Sequence, residues 1–437
     1  MQTIDTLISA RWVIPVEPPG VVYERYSLAV HEGRIVDLLP SERACRAYSP
    51  VVTVDLERQA LLPGLVNAHT HGAMCLLRGL ADDLPLMKWL HDHIWPAEQT
   101  WISEEFIHDG SQLAIAEMLR GGTTCFNDMY FFPEVTARCA TNAGIRAAVG
   151  LILIDFPSAY AGDSDDYLAK GLHLHDSYRH HPLVSTAFAP HAPYSVSDAP
   201  LERVRVLADE LDIPIHMHVH EIAEEVRRSV AETGRRPLAR LDALGLVSPA
   251  LSAVHMTQLE AAEIELLAER GARVVHCPES NLKLASGFCP VKRLSDAGIP
   301  VALGTDGAAS NNDLNMFSEM RSAALLAKAV SGDASAVPAY QALRMATLEG
   351  ARALGLANDI GSLEVGKWAD LCAVRLDDVE SEPLYHPVSQ IVYATSRRQV
   401  TDVWVAGQHL LKERTLTTLD KDEILARARE WKSRIGA

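Results

Sequence analysis

The strongest constraint on the fold is a rhythm: between residues 62 and 306, short β-rich apolar runs alternate with amphipathic helical stretches. The runs are LPGLVNAHTH (62–71), TTCFND (123–128), IRAAVGLIL (145–153), LVSTAFAP (183–190), IPIHMHVHE (213–221), LSAVHM (251–256), ARVVHCP (272–278) and IPVALGTD (299–306). Between them lie stretches such as SEEFIHDGSQLAIAEMLRGG, LERVRVLADELD and EAAEIELLAERG, several closing on the Gly that commonly ends a helix. Eight strands with intervening helices predict an α/β fold, a (β/α)8 TIM barrel, over 61–360. Polar residues gather at the C-terminal ends of nearly all eight runs, where such barrels keep their chemistry.

The ends of the chain read differently. SLAVHEGRIVDLLP predicts a hairpin around His31-Glu32-Gly33, and GSLEVGKWADLCAVRL and VTDVWVAGQHLLKE predict β-rich pairs around Gly366 and Gly407. Segments 1–60 and 361–437 are therefore expected to meet in one small β-sandwich domain. The connection from about Leu76 to Ile102, rich in Trp and acidic residues, exceeds an ordinary barrel loop, a length that usually signals function.

Composition removes several classes of function. A net charge of -17 argues against a nucleic-acid surface, which needs clustered Lys and Arg. No window of 18 uninterrupted apolar residues predicts a membrane span, and MQTIDTLISARWVIPVE lacks the layout of a secretory signal. The seven cysteines are scattered and never form C-x-x-C, the pattern of reduced thiols in a cytoplasmic enzyme. Homo-oligomer formation is left open.

His69 and His71, two apart at the end of the first run, aim both imidazoles to one side of a strand. In IHMHVHE the histidines 216, 218 and 220 also share a face, so spacing does not choose among them. Asp306 closes the eighth run in GTDG. Three neutral imidazoles and one carboxylate suit a divalent ion such as zinc and leave a position for water. HDH at 91–93 and HLH at 173–175 lie in helical context, where i and i+2 do not share a face, and are expected at the surface.

LLPGLVNAHTHGAM, HVHE and LGTDGAASNN together resemble the amidohydrolase superfamily along essentially the whole chain. The resemblance implies metal ligands His69, His71, His218 and Asp306, with His216 and His220 in supporting roles. It implies Glu221, three residues after His218, as the proton carrier, Asp306 as base for the attacking water, and His255 as the group that hydrogen-bonds that water. Binuclear relatives carry a bridging lysine on strand three or four. IRAAVGLIL and LVSTAFAP have none, so one ion per chain, zinc by expectation, follows.

RGLADDLPLMKWLHDHIWPAE (78–98), PHAPYSVS and HCPESNLKLASG narrow the resemblance to the 5'-methylthioadenosine/S-adenosylhomocysteine deaminase family. This implies hydrolytic deamination of the adenine ring of a small nucleoside. Glu98 matches the residue that accepts from the ribose hydroxyls and His191 the residue against the purine. Trp89 is a candidate wall near the 5'-substituent, and Ser280 and Asn281 are candidate pocket residues. The competing readings are an aminohydrolase or chlorohydrolase of a guanine- or triazine-type ring, and a non-catalytic scaffold on the same fold. Members that use S-adenosylhomocysteine well supply arginines after strand three. Between Arg146 and Arg179 this chain has none and offers Asp155, Asp163, Asp165 and Asp166, so 5'-methylthioadenosine is the expected preference.

Overall fold

The computed structural model describes residues 1–436 and contains two eight-stranded sheets. The chain opens with β1 (Gln2–Val13), β2 (Tyr23–His31), β3 (Arg34–Pro40) and β4 (Tyr48–Pro63). It then enters β5 (Leu65–Thr70), β6 (Thr123–Asp128), β7 (Arg146–Leu153) and β8 (Val184–Pro190). These are followed by β9 (Ile215–Val219), β10 (Leu251–His255), β11 (Arg273–His276) and β12 (Val301–Leu303). It returns through β13 (Leu371–Arg375), β14 (Val400–Val405), β15 (Gln408–Lys412) and β16 (Thr415–Leu416).

Strands β5 to β12 lie in sequence order, all parallel, and all but two of their residues are buried, the state of a sheet covered by helices. Side chains and backbone join the first strand to the segment that follows the last. Asn67 donates to Thr305 Oγ1 at 2.7 Å, Thr305 N–H donates to Asn67 Oδ1 at 3.0 Å, and Asp306 N–H donates to the His69 carbonyl at 3.0 Å. The ring of eight is thereby closed as a (β/α)8 barrel.

The second sheet joins the two termini in the order β16-β15-β14-β13-β4-β1-β2-β3. One apolar cluster gathers Ile8, Leu28 and Val30 from its first half with Leu371, Ala373 and Trp404 from its second. The hairpins at His31–Arg34 and at Gly407 form as anticipated. The run before Gly366 does not become a strand. Gly366 sits at φ +95 in a turn that docks on β3, its N–H donating to the Ile35 carbonyl at 2.8 Å. The helix Lys421–Ile435 leaves the sheet and packs on the barrel helix Glu104–Arg120, where Trp431 Nε1 donates to Asp109 at 2.9 Å.

Two sequence boundaries move for steric reasons. The first barrel strand begins after Gly64, because Leu62 and Pro63 belong to β4. A Cβ on Gly64 would lie 2.0 Å from Thr124 Oγ1, so only glycine lets the chain cross between sheets there. The eighth strand ends at Leu303, and Gly304 passes so close to β5 that a Cβ would meet His69 Cβ at 2.7 Å. Among the described residues no helix is long and apolar enough to cross a membrane.

A buried ion pair clamps the terminal sheet to the barrel. Arg146, opening β7, donates to both oxygens of Asp370 at 2.8 and 3.1 Å, and its third bond reaches the Pro182 carbonyl. Asp370 also accepts from Ala406 N–H, while its carbonyl accepts from Gly64 N–H. Removing one partner would strand the other charge in the interior. Asp370→Ala is expected to destabilise the protein by about 3–5 kcal/mol, measured by denaturant unfolding. A loss within the range of an exposed pair, under about 1 kcal/mol, would show that water reaches Arg146.

Candidate metal centre and active-site cavity

His69, His71, His218 and Asp306 come together from the ends of β5, β9 and β12, each offering one ligand atom, all within 4.8 Å of one another. Asp306 Oδ1 lies 3.3 Å from His69 Nε2 and 3.2 Å from His71 Nε2, and His218 Nε2 lies 3.1 Å from His69 Nε2. The other nitrogen of each ring is already engaged. His71 Nδ1 donates to the Met129 carbonyl at 2.6 Å and His218 Nδ1 to the His191 carbonyl at 2.8 Å. His69 Nδ1 faces His216 Nε2 at 2.8 Å.

That pattern tests whether the residues fit a metal. Carbonyl oxygens only accept, so His71 and His218 carry their protons on Nδ1 and turn bare Nε2 lone pairs inward. Lone pairs converging beside a carboxylate repel one another unless a cation stands between them. The donor set therefore fits a divalent ion, with outer partners that fix each imidazole's tautomer and orientation. His216 takes the supporting place expected of it. His220 lies apart from the cluster, Nε2 accepting from Leu238 N–H at 3.1 Å.

Asp306 is the most elaborately held of the four. Its Oδ2 accepts from Ser280 at 2.6 Å and Ser310 at 2.9 Å, and its Oδ1 from Gly307 N–H at 2.9 Å. Its backbone is left-handed at φ +61, as are His220 at +55, His255 at +74 and Met256 at +51. Strained conformations of non-glycine residues thus collect where three strands end around the cluster.

Beside the cluster lies a cavity of about 400 Å³, within the usual range for small-molecule sites. Glu221, His255, His191, Glu98 and Trp89 all line it, together with His71, His218 and Asp306 of the cluster. Glu221 Oε2 is 3.9 Å from His255 Nε2. Burial raises the Glu221 carboxyl above its ordinary range. Its backbone is held by Glu225, whose carboxylate accepts from His220 N–H at 3.1 Å and Glu221 N–H at 2.7 Å. His255 Nδ1 pairs with Asn281 Oδ1 at 2.8 Å, an arrangement that leaves Nε2 as an acceptor. Burial holds the His191 ring neutral, with a pKa lowered to about 3, and its Nδ1 pairs with Ser195 Oγ at 2.9 Å.

Glu98 comes from the long connection, which folds into the helical turns Leu86–Trp89, Leu90–Ile94 and Trp95–Trp101. Tyr130 donates to its Oε1 at 2.7 Å, and burial pushes its pKa up to about 6. Trp89 is tied back by a 3.1 Å bond from Nε1 to the Ala81 carbonyl and presents its rings to the cavity.

Some expectations need correction. Ser280 and Asn281 do not form the cavity wall; they stand behind it, holding Asp306 and His255. His175 is not at the surface but buried, its Nδ1 paired with Thr186 at 2.7 Å, because its helix lies flat on β8. Arg78, which opens the long connection, is not on the cavity wall and pairs with Glu117 and the Asn312 carbonyl. Three residues went unrecognised in the sequence. Asp128 braces the first-strand loop by accepting from Gly72 N–H at 2.6 Å and Thr70 at 3.0 Å. Ser310, four residues after Asp306 on the next helical turn, was findable by spacing. Arg228 lies on the cavity wall from the helix Ala223–Thr233, and no local signal announces it.

Comparisons with known proteins agree with this geometry. The model of the Amidohydrolase family matches residues 60–410. The 5-methylthioadenosine/S-adenosylhomocysteine deaminase of Teredinibacter turnerae is 51% identical over 100% of this chain and 98% of its own length. Its namesake from Saccharophagus degradans is 50% identical over 99% and 97%. Among solved structures, an adenosine deaminase from Xanthomonas campestris with bound zinc superposes with a TM-score of 0.99 at 58% identity, covering 100% of this chain and 99% of that one. The atrazine chlorohydrolase of Arthrobacter aurescens TC1, complexed with zinc, gives 0.90 at 25% identity over 98% and 99%. With the family model matching residues 60–410 and deaminase relatives 51% and 50% identical over almost the full length of both chains, the chain belongs to the amidohydrolase family, on the branch of the 5-methylthioadenosine/S-adenosylhomocysteine deaminases.

Proposed function

We propose that the protein is a zinc-dependent aminohydrolase that converts the adenine ring of 5'-methylthioadenosine to its inosine counterpart and ammonia, with S-adenosylhomocysteine and adenosine as related substrates. The observation that carries this reading is one cavity that joins the inward-facing ligand cluster to two carboxyl groups, Glu221 and Glu98. The zinc bound in the Xanthomonas campestris deaminase and the names of the full-length relatives support it.

His69, His71, His218 and Asp306 would hold the ion, which supplies the charge that brings a coordinated water's pKa to about 7. Glu221 then relays one proton of the attacking water to ring N1, which makes C6 electrophilic as the water oxygen adds there. The raised affinity of its buried carboxyl for a proton suits a group that must both take and give. Asp306, with His255 as hydrogen-bond acceptor beside it, takes the second water proton and passes it to the amino group. Ammonia leaves, so the two protons lost by water appear on N1 and on ammonia. Glu98 accepts from the ribose hydroxyls and His191 packs against the purine.

Metal analysis of active protein should find about one divalent ion per chain, lost on chelation together with activity. Two tightly held ions per active chain would contradict a single cluster of four ligands. In Glu221→Gln, kcat should fall at least roughly a hundredfold while bound metal persists. Near-normal turnover would place proton transfer elsewhere.

For Glu98, a carboxylate whose pKa stands at about 6 is charged above that pH and neutral below it. The KM for nucleosides should therefore rise as pH falls through about 6, since the neutral acid accepts more weakly from two hydroxyls. Glu98→Ala should remove that rise and lower kcat/KM, by about 1.5–3 kcal/mol for each charged hydrogen bond lost, without loss of metal. Unchanged kcat/KM for 5'-methylthioadenosine would take Glu98 out of the substrate site.

A further inference from the structure

The cavity changes character from its floor to its mouth. At the floor stand the acidic groups Asp306, Glu221 and Glu98 with the histidines of the cluster. The lining also has an apolar part that includes Leu90, Ile94, Trp95, Ile152 and Ile154. At the mouth, Phe156 is 51% exposed and Arg228 carries a side chain 53% exposed. Arg228 is the one Arg or Lys on this wall among the described residues.

Helical spacing puts it there. Glu225 and Arg228 are three apart on the helix Ala223–Thr233, so they occupy one face, and Glu221 lies just before that helix. Glu225 is buried beneath the backbone of Glu221, which points the face inward and leaves Arg228 one turn farther out. Tyr194 lines the same wall. Its present partner is Glu232, four residues on and 57% exposed, accepting from Nε at 2.7 Å. An exposed pair of that kind contributes little and yields easily to a better acceptor.

We propose that Arg228 is the specificity-determining residue of this cavity: it receives the carboxylate of a 5'-thioether nucleoside that bears an amino-acid tail, from the helix that follows β9 instead of the region that follows β7. This rests on the adenine-nucleoside reading given above. A nucleoside seated with its base at the cluster and its ribose at Glu98 sends its 5'-substituent along the apolar wall. A methylthio group ends on that wall. A homocysteine tail continues to the mouth, where a carboxylate leaving water requires a cationic donor and a planar guanidinium can hold both oxygens. None of Asp155, Asp163, Asp165 and Asp166 lines the cavity, whereas Arg228 does.

The test compares S-adenosylhomocysteine with its methyl ester, equal in reach but without the carboxylate charge, on the metal-loaded wild type and on Arg228→Met. Wild type should favour the acid over the ester by roughly tenfold or more in kcat/KM. Arg228→Met should erase that ratio, and Arg228→Lys should restore part of it. Equal ratios in wild type and Arg228→Met, or no preference in the wild type, would overturn the assignment. Calorimetric binding of the same two compounds gives a second readout that needs no turnover. Failure to deaminate 5'-methylthioadenosine would sink the proposed function, whereas the acid-to-ester binding ratio reports on Arg228 alone.

Discussion

Everything at the top of the barrel depends on keeping four electron-pair donors pointed at one spot. The lone pairs of three imidazole nitrogens and a carboxylate oxygen gathered within 4.8 Å repel one another, and a cation placed among them relieves that repulsion. The protein holds it ready with hydrogen bonds to the far side of each donor: Met129 and His191 carbonyls, His216, Ser280 and Ser310. The ligands come from β5, β9 and the end of β12, so the cluster also requires that the ring be closed. The Asn67–Thr305 pair and the bond from Asp306 N–H to the His69 carbonyl achieve that at the seam itself. Closure and metal geometry are thus one constraint.

The cavity wall inherits its electrostatics from this arrangement. An apolar lining from the long connection and from β7 excludes water, which strengthens every charge interaction inside and makes carboxylates costly to ionise. Glu221 and Glu98 both respond by holding their protons more tightly. For Glu221 this is useful in a proton carrier. For Glu98 it is a cost partly offset by the Tyr130 hydroxyl. The positive φ values at His220, His255, Met256 and Asp306 show where the backbone accepts strain so that these side chains meet.

How far the sequence could be read follows from the same physics. The pairing of His69 with His71 was legible because strand periodicity acts over two residues, whereas His218 and Glu221 were singled out by the resemblance to a family motif. The choice of His218 over His216 and His220 was not legible from spacing, since all three share a face. The structure separates them by the partners of their second nitrogens. Ser280 and Asn281 were placed one layer too far forward, because a motif gives neighbourhood and not depth. His175 looked exposed because helical spacing alone does not say which side of the helix meets the sheet. The start of β5 was misread because an apolar run does not show that its first residues belong to another sheet, which the contact between Gly64 and Thr124 decides.

The division of labour between strands and excursions explains how one fold can hold related chemistries apart. The ligands sit on strand ends whose backbone is tied into the closed ring, so they tolerate little displacement. The wall facing a substrate comes largely from the turns between Leu86 and Trp101 and from the helix Ala223–Thr233, which contribute side chains and no ring closure. Residues there can change without disturbing the cluster. An atrazine chlorohydrolase superposes on this chain at 0.90 with only 25% identity, as expected if the framework persists while such walls diverge. The substrate contacts proposed for Glu98, Trp89 and Arg228 all fall on these surfaces, which supply none of the four metal ligands.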